Sequence, residues 1–137
     1  MKTRIAVTSV VVLFVVATLF LQSAKTGVTE PQLTQAEALA FVRALNTAQV
    51  DTLLSSGAYA PLEGLAKHRF LQDRQAQIAL KDSALGSYAD YKLSVLASKD
   101  GKHYLLGLVP QSGCGTAFLS NESGIIYTGK ALGCPAF

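Results

Sequence analysis

Hydrophobic and polar residues follow three different patterns along the chain. Residues 5–21 are uncharged and almost entirely apolar. Residues 35–54 and 66–85 place apolar side chains at approximately helical spacing. From Ala89 onward the period changes to two, which is typical of strands that bury one face. The pattern therefore predicts an apolar N-terminal segment, then one or two helices, then a set of strands.

The first helix has both a start signal and a stop signal. Thr34 and Glu37 form the T-x-x-E pattern of a capping box, in which each side chain accepts a hydrogen bond from the other residue's backbone N–H. Gly57 is a typical C-terminal stop, so a helix is predicted over about 35–54. A second helix is predicted over 66–85, where charged residues interrupt an irregular apolar face.

Two hairpins are predicted in the second half of the chain. The predicted strands are, in order, 91–98, 103–109, 116–120 and 125–129. Asp100-Gly101 favours a two-residue type I′ turn, and residues 121–124 form the second turn. Because helices precede strands, the predicted fold class is α+β. An N-terminal membrane helix would be followed by one or two helices packed on an antiparallel meander of about four strands.

The N-terminal run has two interpretations. A membrane-spanning helix needs about 17–25 apolar residues, whereas a secretory signal peptide has an apolar region of about 7–15 residues before a small-residue cleavage site. The run has 17 residues. A cut after Ala24 would place Gln22 at a position that requires a small residue. An uncleaved anchor is therefore favoured over a cleaved signal peptide.

Either interpretation takes the rest of the chain out of the cytoplasm. Lys2 and Arg4 precede the apolar run, and positive charges stay on the cytoplasmic side. We predict a signal-anchor over 1–24, a linker over 25–33 and an extracytoplasmic domain over 34–137. The expected location is the cell inner membrane, single-pass, with a cytoplasmic N-terminus and a periplasmic or extracellular C-terminal domain.

Charge adds little to this picture. The formal net charge is +3, from 12 Lys+Arg and 9 Asp+Glu. Without Lys2 and Arg4, the chain has ten positive and nine negative residues, a net charge of +1. No basic stripe or aromatic platform is visible, so no nucleic-acid partner is predicted.

Cys114 and Cys134 are the two cysteines of the chain. Outside the cytoplasm, an even pair of cysteines in a small domain indicates a disulfide. A loop of about 20 residues closed in this way would stabilise the fold by roughly 3 kcal/mol. A metal-binding or redox pair is disfavoured because no Cys-x-x-Cys motif is present.

No catalytic motif is recognisable, and no catalytic, metal-binding or cofactor-binding residue is predicted. His68 and His103, the two histidines, lack metal-ligand spacing and are expected at the surface. Asp51 would need a second carboxylate to serve in an acid pair. A G-x-S-x-G elbow and a phosphate-binding loop are both missing. The chain is therefore expected not to be an enzyme, although a small hydrolase with an unrecognised site is a third possibility.

Several stretches resemble type IV pilins and the pseudopilins of type II secretion. The helical stretch 43–48 matches the R-x-[IL]-N-T-A pattern of those proteins, and 57–65, "GAYAPLEGL", resembles the loop that follows it. Residues 91–110 and 117–127 resemble their sheet. The resemblance covers 36–134 and implies a pilin-like head with a disulfide-bounded C-terminal region. The prepilin peptidase signal is absent, since the N-terminal segment has neither the glycine nor the glutamate of pilins.

The combined hypothesis is a non-catalytic, membrane-anchored structural or protein-interaction module. Its expected partners are the membrane and other pilin-like or secretion-system proteins. The alternative is a secreted or periplasmic small binding protein with a cleaved signal peptide and a pocket between helix and sheet.

Overall fold

The computed structural model describes residues 32–133. The predicted signal-anchor, nearly all of the linker and Cys134 lie outside these residues. The described part contains one long helix (α1), one short helix (α2), a 3₁₀ helix and six strands. Their bounds are α1 Gln35–Ser56, α2 Leu62–Leu65, 3₁₀ helix Arg69–Gln77, β1 Ile78–Leu80, β2 Leu85–Tyr88, β3 Tyr91–Ala97, β4 Tyr104–Pro110, β5 Thr116–Asn121 and β6 Ile126–Lys130.

Helix α1 begins and ends where its local signals place it. The Thr34 hydroxyl accepts a hydrogen bond from the Glu37 N–H at 3.2 Å, and the Thr34 N–H donates to the Glu37 carboxylate at 2.8 Å. Gly57 adopts a left-handed conformation (φ 80°), and its N–H donates to the Leu53 carbonyl at 2.8 Å. The predicted helix over 35–54 is confirmed, with two further residues at its C-terminal end.

The six strands form one antiparallel sheet in sequential order from β1 to β6. One face of the sheet packs against α1. The shared core is apolar, and the Phe41 ring of α1 stacks on the Tyr88 ring of β2 with centroids 3.6 Å apart. Its largest fully buried apolar side chains are Phe41, Phe118, Leu45, Leu62, Leu65, Leu71, Leu93, Leu106, Leu108, Val42 and Val95. The space between helix and sheet is filled by these side chains.

The predicted fold class is wrong. The structure has a six-stranded sheet with one long helix, whereas the prediction was a pilin-like head with a meander of about four strands. Within residues 32–133, no helix is long and apolar enough to cross a membrane. The membrane helix of the prediction lies in 1–24, outside the described residues.

The two missed strands lie at the end of the second predicted helix, 66–85, and just after it. Nine residues of this region form the 3₁₀ helix, in which Leu71 is the one buried side chain. The chain then enters β1 and β2, which pair with each other. A Cβ at Gly86 of β2 would lie 2.5 Å from the Ala79 carbonyl oxygen. The close approach of β1 therefore requires glycine, and no periodicity in the sequence reports this contact.

The β3–β4 turn also differs from its prediction. A type I′ turn requires positive φ at both central residues, but only Gly101 has one (φ 66°). The Gly101 N–H donates to the Ser98 carbonyl at 2.9 Å, so the chain reverses over 98–101 and glycine completes the turn. The predicted second turn is confirmed, because the Gly124 N–H donates to the Asn121 carbonyl at 2.9 Å.

Candidate functional site

The sheet has two faces of different character. Along β3, Tyr91, Leu93 and Val95 are buried in the core that the sheet shares with α1, whereas Lys92 and Leu96 are exposed on the opposite side of the strand. The same alternation runs through the neighbouring strands because the strands pair in register. We call the side away from α1 the outer face.

The outer face is apolar and uncovered within the described residues. Its large side chains come from five of the six strands and are 36–56% exposed. They are Leu85, Leu96, Leu105, Val109, Leu119 and Tyr127. Exposed leucines scattered singly are ordinary, but a contiguous apolar patch marks an interaction surface.

Strand register brings these side chains together. Leu85 pairs with Ser94, which pairs with Gly107. Gly107 pairs in turn with Leu119, which pairs with Tyr127. This row crosses five strands, with small residues at its centre and large apolar residues on both sides.

Charge is sparse on the outer face. Among the described strand positions that point to it, Lys92 is the one charged residue. Two surface grooves, of about 520 and 710 Å³, share Lys92 and Val109 in their lining. Since Lys92 is the second residue of β3, it lies at one end of the face and leaves the centre uncharged.

Cys114 lies in the loop between β4 and β5 and is disulfide-bonded. After β6 the chain returns to this loop. The Ala131 N–H donates to the Gly115 carbonyl at 3.0 Å, and a Cβ on Gly133 would lie 2.8 Å from the Gly113 carbonyl oxygen. Cys134, the predicted partner, lies outside the described residues, so the Cys114–Cys134 pairing stays a prediction.

His68 is not the solvated side chain that was expected. Its Nε2 lies 3.0 Å from the Asp51 carboxylate, whose other oxygen accepts from Arg69 at 2.7 Å. The Phe70 N–H points at Nδ1 at 3.4 Å. Both ring nitrogens are therefore engaged, and the cluster ties α1 to the 3₁₀ helix. No second carboxylate joins Asp51 in these contacts.

His103 is exposed, as expected. Its Nδ1 lies 2.9 Å from a Glu122 carboxylate oxygen, which joins the β3–β4 turn to the β5–β6 turn. This hydrogen bond lowers the pKa of Glu122 below its usual range. In the described part of the chain, no group of three or more acidic, histidine or cysteine side chains is arranged to hold a metal ion.

A buried polar cluster connects α1 to the sheet. The Asn46 amide donates to the Ser120 hydroxyl at 2.8 Å and accepts from the Tyr104 hydroxyl at 3.0 Å. Ser120 donates onward to the Ile125 carbonyl at 3.0 Å. Burial raises the pKa of Tyr104 to about 12. Every group here has a partner, so the cluster fixes helix to sheet and leaves no free nucleophile.

Sequence reasoning missed both the outer face and the buried cluster. The residues 104–109 are almost all apolar, so alternation cannot indicate which of them face the core. Asn46 and Ser120 are 74 positions apart, and no local pattern links them.

Comparison with profiles of known protein families, with curated protein sequences and with solved structures found no match to this chain. The sequence resemblance to pilins and pseudopilins, and the partners that it implies, therefore stay predictions.

Proposed function

We propose that this chain is a non-catalytic, extracytoplasmic protein-interaction module. Residues 1–24 hold it at the membrane, and its outer face contacts a partner protein. The observation that carries the proposal is the outer face itself, where six large apolar side chains lie 36–56% exposed on one continuous surface. Leaving such a patch in water is unfavourable by about 25 cal/mol per Å², and covering it with a partner recovers this free energy.

Other observations support a binding role over a catalytic one. The titratable residues with defined contacts serve structural links, as Asp51, His68 and Arg69 do between α1 and the 3₁₀ helix. The alternative of a small-molecule binder has less support, because core side chains such as Phe41 and Leu106 fill the space between helix and sheet. Open grooves on the surface of a sheet also differ from the concave pockets that enclose small ligands.

The proposal is tested by site-specific photo-cross-linking of the full chain in cells. A benzophenone amino acid is placed at Leu105 on the outer face or, as a matched control, at Leu54 on the exposed side of α1. We expect a protein adduct when the probe is at position 105 and a much lower adduct yield when it is at position 54. The adduct from position 105 should disappear when Leu119→Asp introduces a charge beside it.

Two results would contradict the proposal. One is equal adduct formation from both positions, which would mean that the outer face is no more in contact with proteins than α1 is. The other is cross-linking from position 105 to lipid alone, which would make the outer face a membrane-contacting surface.

A further inference from the structure

We propose that the partner on the outer face is a second copy of this chain, packed sheet against sheet about a two-fold axis. This inference rests on the proposed function, since it names the partner of the same surface. It is carried by three features of the outer face, namely its size, its charge and its self-complementary register.

The size of the face fits a dimer of standard dimensions. The six strands contain 32 residues in all, and a rise of about 3.3 Å per residue with strands about 4.8 Å apart gives the sheet a footprint of roughly 500 Å². A stable interface buries about 800 Å² of accessible surface on each partner, and projecting leucine and tyrosine side chains raise the accessible area above the footprint. A partner must therefore cover most of the sheet. Another sheet of equal size does so.

The charge of the face favours a permanent, apolar partner. Strand positions on this side carry one charge, Lys92, and no carboxylate. Transient interfaces between different proteins are no more apolar than the rest of the surface, whereas homodimer interfaces are more apolar. Nothing on the face selects a charged partner. A second copy brings the same apolar surface, and two-fold dimers are the commonest oligomers.

The register of the central strands makes the face complementary to itself. A two-fold axis along the strands, between β3 and β4, exchanges residues that pair across these strands. It places Leu96 over Leu105 of the second copy. The same axis exchanges β2 and β5, the next strands outward. Leu85 of β2 and Leu119 of β5 flank the Ser94–Gly107 pair, so Leu119 lies over Leu85 of the second copy. At the centre of the row Ser94 lies over Gly107 of the second copy, and leucine meets leucine on either side of this small-residue centre.

Lys92 is accommodated by the same arrangement. It pairs with Val109 across β3 and β4, so the axis places its aliphatic stem over Val109 of the second copy. Its position near the start of β3 lets the ammonium group extend beyond the end of the sheet into water. Two aligned sheets pack about 10 Å apart, a separation that these leucine side chains can fill from both sides.

The test uses cells that contain two copies of the full chain with different affinity tags. Both copies carry the benzophenone amino acid at position 105. We expect a cross-linked adduct of two chains that carries both tags. Leu119→Asp should lower its yield at least about tenfold, because a carboxylate would be buried without a partner.

Leu54→Asp is the matched control, because Leu54 is a leucine on α1 that is 81% exposed. Its effect on the yield should stay within about twofold, as for other surface substitutions. Circular dichroism of each variant checks that the fold is retained, which is expected since Leu119 is about half exposed.

Each other outcome has a defined meaning. A two-chain adduct whose yield Leu119→Asp leaves unchanged would overturn this face as the contact between copies. An adduct with a different protein alone, lost in Leu119→Asp, would overturn the second copy as partner and leave the proposed function standing. No protein adduct from position 105 would overturn both.

Discussion

Replacing Asn46 with alanine tests how the buried polar cluster holds α1 to the sheet. The substitution removes the hydrogen bond to Ser120 and takes the acceptor away from the Tyr104 hydroxyl. Tyr104 is 4% exposed, so its hydroxyl has little access to water once this acceptor is gone. A buried hydroxyl without a partner costs about 1–3 kcal/mol. With the second lost hydrogen bond, Asn46→Ala should lower the free energy of unfolding by roughly 2–4 kcal/mol.

A double-mutant cycle separates this interaction from other effects of each change. Tyr104→Phe alone should cost about 1 kcal/mol, because the Asn46 carbonyl oxygen loses its donor. In the double variant no tyrosine hydroxyl is stranded. The losses in free energy of unfolding of the two single variants should therefore sum to about 1 kcal/mol more than the loss in the double variant.

The assay is guanidinium denaturation of the oxidised full chain, followed by circular dichroism. Thr47→Ala is the control, because Thr47 is the exposed next residue of α1 and bonds only within the helix, to the Arg43 carbonyl. Its effect should stay within about 0.5 kcal/mol. Additivity of Asn46→Ala and Tyr104→Phe to within about 0.3 kcal/mol would refute the reasoning, since it would mean that the two side chains do not interact.

Three further predictions use the same denaturation assay. Thr34→Ala removes the N-cap of α1 and should cost about 1 kcal/mol; an unchanged midpoint would mean that the cap contributes nothing to stability. Gly86→Ala forces a Cβ to 2.5 Å from the Ala79 carbonyl oxygen and should cost about 1–3 kcal/mol. Gly129→Ala, with no heavy atom within 4 Å of its Cβ, should be far milder, and equal losses would contradict the close approach of β1 to β2. Burial raises the pKa of Tyr104 to about 12, whereas an unfolded tyrosine titrates near 10. Above pH 10 the unfolded chain binds fewer protons than the folded one, so the free energy of unfolding should fall as pH rises towards 12. The fall should exceed that of Tyr104→Phe by roughly 1–2 kcal/mol. Parallel curves for the two proteins would exclude Tyr104 as the origin of the pH dependence.

Local sequence signals placed several elements correctly. The capping box at Thr34 and the glycine at position 57 bound α1 because these groups bond within one helical turn. The predicted strands 91–98 and 103–109 correspond to β3 and β4 within a residue or two. The signals for these elements lie within a few residues of one another, so the sequence displays them directly.

Contacts between distant residues explain what was missed. The apolar spacing over 66–85 predicts a helix that includes β1 and only the first residue of β2. What makes both segments strands is pairing, of β1 with β2 and of β2 with β3. The sequence predicts a solvated His68 because its partner, Asp51, lies 17 residues earlier, on α1. In each case the deciding atom belongs to a different element.

The sequence by itself determined the start and end of α1, the period-two strands after Ala89 and the presence of two cysteines. Only the tertiary structure decided that the sheet has six strands and that α1 covers one face of it. It also decided which leucines of β4 face the core, since both faces of that strand are apolar. The physical reason is that backbone capping and alternation act over a few residues. Burial of a side chain depends on what the rest of the chain places over it.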